Sequence, residues 1–140
     1  MLNWKSWRKM VIEYPYVTDK NPNGNEGQKL YLKILDRIKQ FSGVKRVCEL
    51  GCGNGYFSGL LVKQEYEVVG IDSSQSGIEY ASKNYGYAAK FIHSQISPNQ
   101  IREWKLHDFD LVISIETIEH FYCPGDLLLV AKTLLRPGGG

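Results

Sequence analysis

The segment Glu49-Leu50-Gly51-Cys52-Gly53-Asn54-Gly55 constrains this chain more than any other. It closes an apolar run over residues 44–50 that predicts a strand, and it opens a helix predicted over residues 56–64. Glycines at 51, 53 and 55 permit positive φ and let the backbone approach a ligand with no Cβ in the way. The helix that follows presents unpaired N–H groups at its start. A tight strand-to-helix turn with no ligand has the same composition, so the loop alone leaves both readings open.

The residues downstream repeat the alternation. Strands are predicted over 67–71, 88–92 and 109–115, and helices over 76–85, 98–104 and from Pro124 to the stop at Pro137. In the second helix Ser76 and Glu79 have capping-box spacing, Ile78, Ala81 and Tyr85 form the inward stripe, and Gly86 ends it. The last strand is almost wholly apolar, as strands covered on both faces are. Strands alternating with helices predict an α/β chain with a Rossmann-like, doubly wound parallel sheet and right-handed crossovers. Upstream, Trp4, Trp7, Arg8 and Val11 recur at helical spacing, and residues 18–27 read as a linker of turn formers. Leu30, Ile34, Ile38 and Phe41 then share one face of a helix that Gly43 ends.

Composition removes several classes of function. Its 140 residues suit one domain, and 17 Lys+Arg against 15 Asp+Glu leave a net charge of +2. Such a balance gives no basic field for nucleic acid. The longest apolar runs are about five residues, far from the roughly 20 that cross a membrane. Cys48, Cys52 and Cys123 are odd in number and lack CxxC spacing, which predicts free thiols in a reducing cytoplasm. The N-terminus has no apolar signal core.

Three details of the loop point to a ligand. Asp72 ends the second strand 21 residues after Gly51, where a carboxylate can accept two hydrogen bonds from a ribose diol. A dinucleotide fingerprint would need glycine at 56, which is Tyr56. Glu49 adds a negative charge toward the cleft that would repel a diphosphate and suit an ammonium or sulfonium.

With Glu49–Gly55, Gly70-Ile71-Asp72, the run from Phe109-Asp110-Leu111-Val112 through Glu119-His120, and Leu134-Leu135-Arg136-Pro137-Gly138-Gly139, residues 44–140 resemble the class I S-adenosylmethionine-dependent methyltransferases. In detail the chain is most similar to the small-molecule branch that includes ubiquinone-pathway O-methyltransferases. The resemblance implies S-adenosylmethionine as cofactor, a small-molecule acceptor, and a helical cap over residues 1–43. Glu49, Gly51, Cys52, Gly53 and Gly55 would hold the methionine part and Asp72 the ribose. Ser73 would lie beside the adenine, and Gln95 would take the acidic residue's place at the adenine amino group. Ile115 and Glu116 would line the cleft near the transferred methyl. The family has seven strands and four are predicted here, so the domain reads as truncated after the fourth. That strand would lie at an open edge, which predicts either a shortened chain or a homodimer paired across it.

Glu116-Thr117-Ile118-Glu119-His120 is the densest polar cluster. It can hold a metal, supply His120 as a general base, or brace the loop. A metal is disfavoured because the metal-dependent relatives have a second adjacent histidine where this chain has Phe121. A sulfonium is already an activated donor, so transfer needs mainly alignment, and a base only for a protonated acceptor. His93 and His107 carry no assigned role. Two other functions compete: a cofactor-binding or interaction module without catalysis, and an NAD-dependent enzyme, against which the glycine spacing and Glu49 speak.

Overall fold

The computed structural model describes residues 25–140, with side chains from Gln28 onward. The helix expected near Trp4, the aromatics Tyr14 and Tyr16, and the linker up to residue 24 lie outside the described residues. Where the linker was expected to continue, Asn25–Ile38 is already helix, α1. Its inward face is Tyr31, Ile34, Leu35 and Ile38. Leu30 and Phe41 were expected on that face but are 41% and 52% exposed. Leu30 is off the stripe, and Phe41 follows the helix end and lies under the Arg37 guanidinium.

Four parallel strands form the sheet: β1 Arg46–Leu50, β2 Glu67–Asp72, β3 Ala89–His93 and β4 Leu111–Ile113, in the order β3-β2-β1-β4. The helices between them are α2 Tyr56–Val62, α3 Gln75–Tyr85, α4 Ile101–Trp104 and, after β4, α5 Pro124–Leu134. Alternation along the strands builds two cores. Val47 and Val68 meet α1 and α2 through Leu35, Ile38, Phe57 and Leu61. Cys48, Leu50, Val69 and Ile71 face the other way, against Trp104, Leu127, Val130 and Leu134. Burying each such Leu or Phe contributes about 1.5–3 kcal/mol. The doubly wound, Rossmann-like expectation is therefore met.

Two local expectations are corrected. The N-cap of α3 is Ser74, whose Oγ accepts from the Gly77 amide, rather than Ser76, and Glu79 instead accepts from Gln75. The seven residues expected for the fourth strand shrink to three. Before its start Asp110 lies in a bend, its amide still donating to Arg46 O while Oδ2 accepts the Lys45 and Arg46 amides and Oδ1 accepts from Arg136 Nε. Phe109 makes a separate parallel bridge to Leu135.

The outer edge of β4 is not bare. Gly140 donates to Asp110 O and accepts from the Val112 amide, so residues 135–140 run beside the first part of that strand. Strand order reverses between β1 and β4, and the crevice at their carboxyl ends is where a doubly wound sheet takes its ligand.

Candidate functional site

The glycine loop leaves β1 and bends over β2. The amides of Gly51 and Cys52 both donate to Ile71 O, at 2.8 and 3.2 Å. Gly51, Gly53 and Gly55 have φ of 81°, 53° and 77°, the left-handed region that glycine enters without strain. Their neighbours differ. A Cβ on Gly51 would lie 2.3 Å from Thr117 Oγ1, whereas one on Gly55 would strike Ala81 and Phe91. Gly51 thus lets the loop after β4 approach, and Gly55 lets α3 pack at the start of α2.

Asp72 ties the site together. It is 8% exposed, and Gly53 N donates to Oδ2 at 2.8 Å while Ser74 N donates to Oδ1 at 2.7 Å. A carboxylate has about four lone-pair sites, so capacity for a diol remains.

Glu49 differs from expectation. It is 3% exposed and its Oε2 accepts from Ser58 Oγ on α2 at 2.5 Å, so the carboxyl lies beneath the loop rather than on the cleft wall. Burial pushes its pKa up to about 8; the Ser58 hydroxyl pulls against that shift and the nearby Asp72 adds to it. Cys52 also turns inward, its Sγ facing Gly70, and burial raises its thiol far above the ordinary range. Only its backbone belongs to the loop surface.

At the end of β3, His93 Nε2 bonds Ser73 O at 3.0 Å, and Trp104 Nε1 donates to Ser94 Oγ at 2.9 Å. These bonds brace the turn carrying Ser73, while Gln95 is exposed just beyond. After β4, Thr117 Oγ1 donates to Ile115 O, and Ser114 Oγ donates to Leu50 O at 3.0 Å. Ile115 packs partly into the α1–α2 core. Glu116 is exposed at φ 50°, a strained value for a residue with a Cβ. His120 ends a 3-10 turn, Ile118–His120, with its side chain 52% exposed and 3.9 Å from Glu119.

A cavity of about 260 Å³ opens beside this loop, lined by Leu50, Val112, Thr117, Leu127, Leu128 and Ala131. Among the described residues, no group of three His, Cys, Asp or Glu comes together to hold a metal ion. Ser58, Ser74, His93 and Thr117 were not singled out in the sequence. Three serines within five residues after Asp72 are equivalent caps until the chain direction is known. Thr117 matters only because Gly51 lies against it.

Residues 42–140 match the family model described as a methyltransferase domain. The chain is similar to the ubiquinone biosynthesis O-methyltransferase of Pseudomonas aeruginosa, at 30% identity over 95% of this chain and 54% of that protein. The protein of that name from Nitrosococcus oceani is 29% identical over 95% of this chain and 53% of its own. The chain spans about half the length of these curated relatives. Among solved structures, a Pyrococcus horikoshii OT3 protein superposes with TM-score 0.68 and 26% identity over 96% of this chain and 62% of its own. The magnesium protoporphyrin IX methyltransferase of Synechocystis PCC 6803, solved with bound S-adenosylmethionine, has TM-score 0.66 and 17% identity over 94% of this chain and 65% of its own. At that identity the likeness is one of fold.

Proposed function

The chain belongs to the methyltransferase-domain family, and we propose that it binds S-adenosylmethionine at the carboxyl ends of β1 and β2 and serves methyl transfer to a small-molecule acceptor. The observation that carries this is Asp72, a buried carboxylate that aligns the glycine loop and keeps lone pairs for a diol. The residues present fit the cofactor. The loop backbone from Gly51 to Gly55 would hold the methionine part, above the buried Glu49 carboxyl. Asp72 would take the ribose hydroxyls, with Ser73 and Gln95 toward the adenine and Ile115 and Glu116 toward the methyl.

When bound, the cofactor supplies a methyl already activated on a sulfonium. The protein's part is alignment and exclusion of water. Thr117, bonded to the Ile115 carbonyl and packed on Gly51, keeps the donor and acceptor sides of the crevice in register. His120 is the candidate base for a protonated acceptor.

Ubiquinone-pathway relatives support a small acceptor, and the +2 charge supports no nucleic-acid partner. No helix among the described residues is long and apolar enough to cross a membrane. A cytoplasmic setting is the reading that the free cysteines support. Pairing of two copies across β4 would use the edge beyond Val112, since Gly140 takes the part before it. A second reading, a cofactor-binding module without transfer, is favoured by the exposure of both Glu116 and His120.

Calorimetry with S-adenosylhomocysteine tests the proposal. Micromolar binding, lost in Asp72→Ala, supports it, and no binding by well-folded protein overturns it. Methyl transfer to a panel of small-molecule acceptors then separates enzyme from module.

A further inference from the structure

Glu49 lies at the carboxyl end of β1 with 3% of its surface exposed. Ser58 Oγ donates to Oε2, and the Ser58 backbone amide adds its pull on the same carboxyl. The polar groups that face it are Ser58 from α2, Asp72 from β2, and the thiols of Cys48 and Cys52 from β1 and its loop. Its partners across the sheet are Gly70 and Ile113. None of these is a cation, and the charged one is a second carboxylate. A carboxylate buried beside another, with donors from one serine alone and no cation, is poorly stabilised by the protein alone.

We propose that Glu49 selects for a cation: it keeps its proton while the site is free of ligand and releases it when a cationic ligand docks on the glycine loop. This rests on the S-adenosylmethionine reading and adds to it a proton exchange. The O–H bond of the Glu49 carboxyl breaks, the proton passes to the solvent, and the carboxylate left behind pairs electrostatically with the ligand's positive charge. The position of the carboxyl beneath the loop makes this a field effect. The pKa of about 8 for the ligand-free protein agrees with the geometry. A neutral ligand of the same shape would gain nothing from Glu49, which therefore discriminates by charge.

Calorimetry at pH 7 in two buffers of different protonation enthalpy counts the protons released. S-Adenosylmethionine should release about one, and its affinity should rise close to tenfold per pH unit below pH 8. S-Adenosylhomocysteine keeps the ammonium but lacks the sulfonium, and 5′-methylthioadenosine carries neither. Release with both of the first two assigns the effect to the ammonium, and release with S-adenosylmethionine alone assigns it to the sulfonium. Release with 5′-methylthioadenosine, or none with S-adenosylmethionine, overturns the proposal. Glu49→Gln should bind with no release, whereas Ser58→Ala, which keeps the carboxyl, should retain it. Failure of S-adenosylmethionine to bind would defeat the proposed function instead. The ligand-free protein then decides on Glu49 alone: at pH 6 the infrared band of a protonated carboxyl should be present and should vanish in Glu49→Gln. Its absence from the wild type overturns the proposal.

Discussion

The amide of Gly53 donates to Asp72 Oδ2 at 2.8 Å, so the residue that ends β2 holds the loop that leaves β1. The other oxygen takes the Ser74 amide at 2.7 Å, and one carboxylate therefore aligns two turns at the mouth of the crevice. Asp72→Ala removes both bonds and leaves two buried amides without acceptors. Expected are a stability loss of about 1–3 kcal/mol and at least a tenfold drop in S-adenosylhomocysteine affinity. Thermal melts and calorimetry check it; unchanged affinity would remove Asp72 from the site.

Gly51 and Gly43 share nearly the same φ, 81° and 80°, but only Gly51 has a neighbour. Alanine at either position pays about 1–2 kcal/mol for the left-handed backbone. At Gly51 it also strikes Thr117, so Gly51→Ala should melt lower than Gly43→Ala. Adding Thr117→Ala to Gly51→Ala should recover only part of the difference, because the Thr117 Cβ that alanine keeps is 2.9 Å from the added methyl. Equal melting of the two single variants would show that the loop after β4 yields freely.

Asp110 is held at about 2, below the ordinary 3.8, by the Arg46 and Lys45 amides and by Arg136. A carboxyl whose pKa is lowered by folding stabilises the native state above its unfolded value. That contribution is complete above about 4 and fades as pH falls toward 2. Acid titration followed by circular dichroism should show wild type losing stability across this window, with a shallower slope in Asp110→Asn. Parallel curves would mean that the three bonds do not survive in solution.

Burial pushes Cys48 up to about 12 and raises Cys52 further from reactivity, while Cys123 is exposed. Thiolate is the nucleophile, so one of three thiols should react with an alkylating reagent at pH 8, and all three after denaturation. Mass spectrometry of the digested protein reads the sites. Rapid labelling of Cys52 in the native state would show that the glycine loop opens.

His120→Ala should slow methyl transfer by about 10²–10⁴ if His120 is a base, with cofactor affinity unchanged. An unchanged rate assigns the histidine to the loop alone. The pH profile of the rate, which should lose its acid limb in the variant, separates a base from a brace.

Much of the architecture was legible because its signals are local. A glycine loop after an apolar strand, and strand–helix alternation after it, are patterns of neighbours, and all four strands and the helices between them were found. The start of β4 was not, because there Asp110 bends to cap the start of β1, 64 and 65 residues away. Likewise Leu30 and Phe41 fit a helical period but stay exposed, Phe41 beneath the Arg37 guanidinium rather than in the core.

Sequence by itself determined the residue types that gather at the crevice: flexible glycines, a carboxylate at the end of each of two strands, and an acidic–imidazole run after a third. Tertiary structure decided what each of them does there. The two carboxylates look equivalent in one dimension. In three, Asp72 is met by two amides from two different turns, while Glu49 is sealed beneath the loop with one serine and no counter-charge. Burial and hydrogen-bond donors set the charge of an acid, and both are properties of packed neighbours distant in sequence.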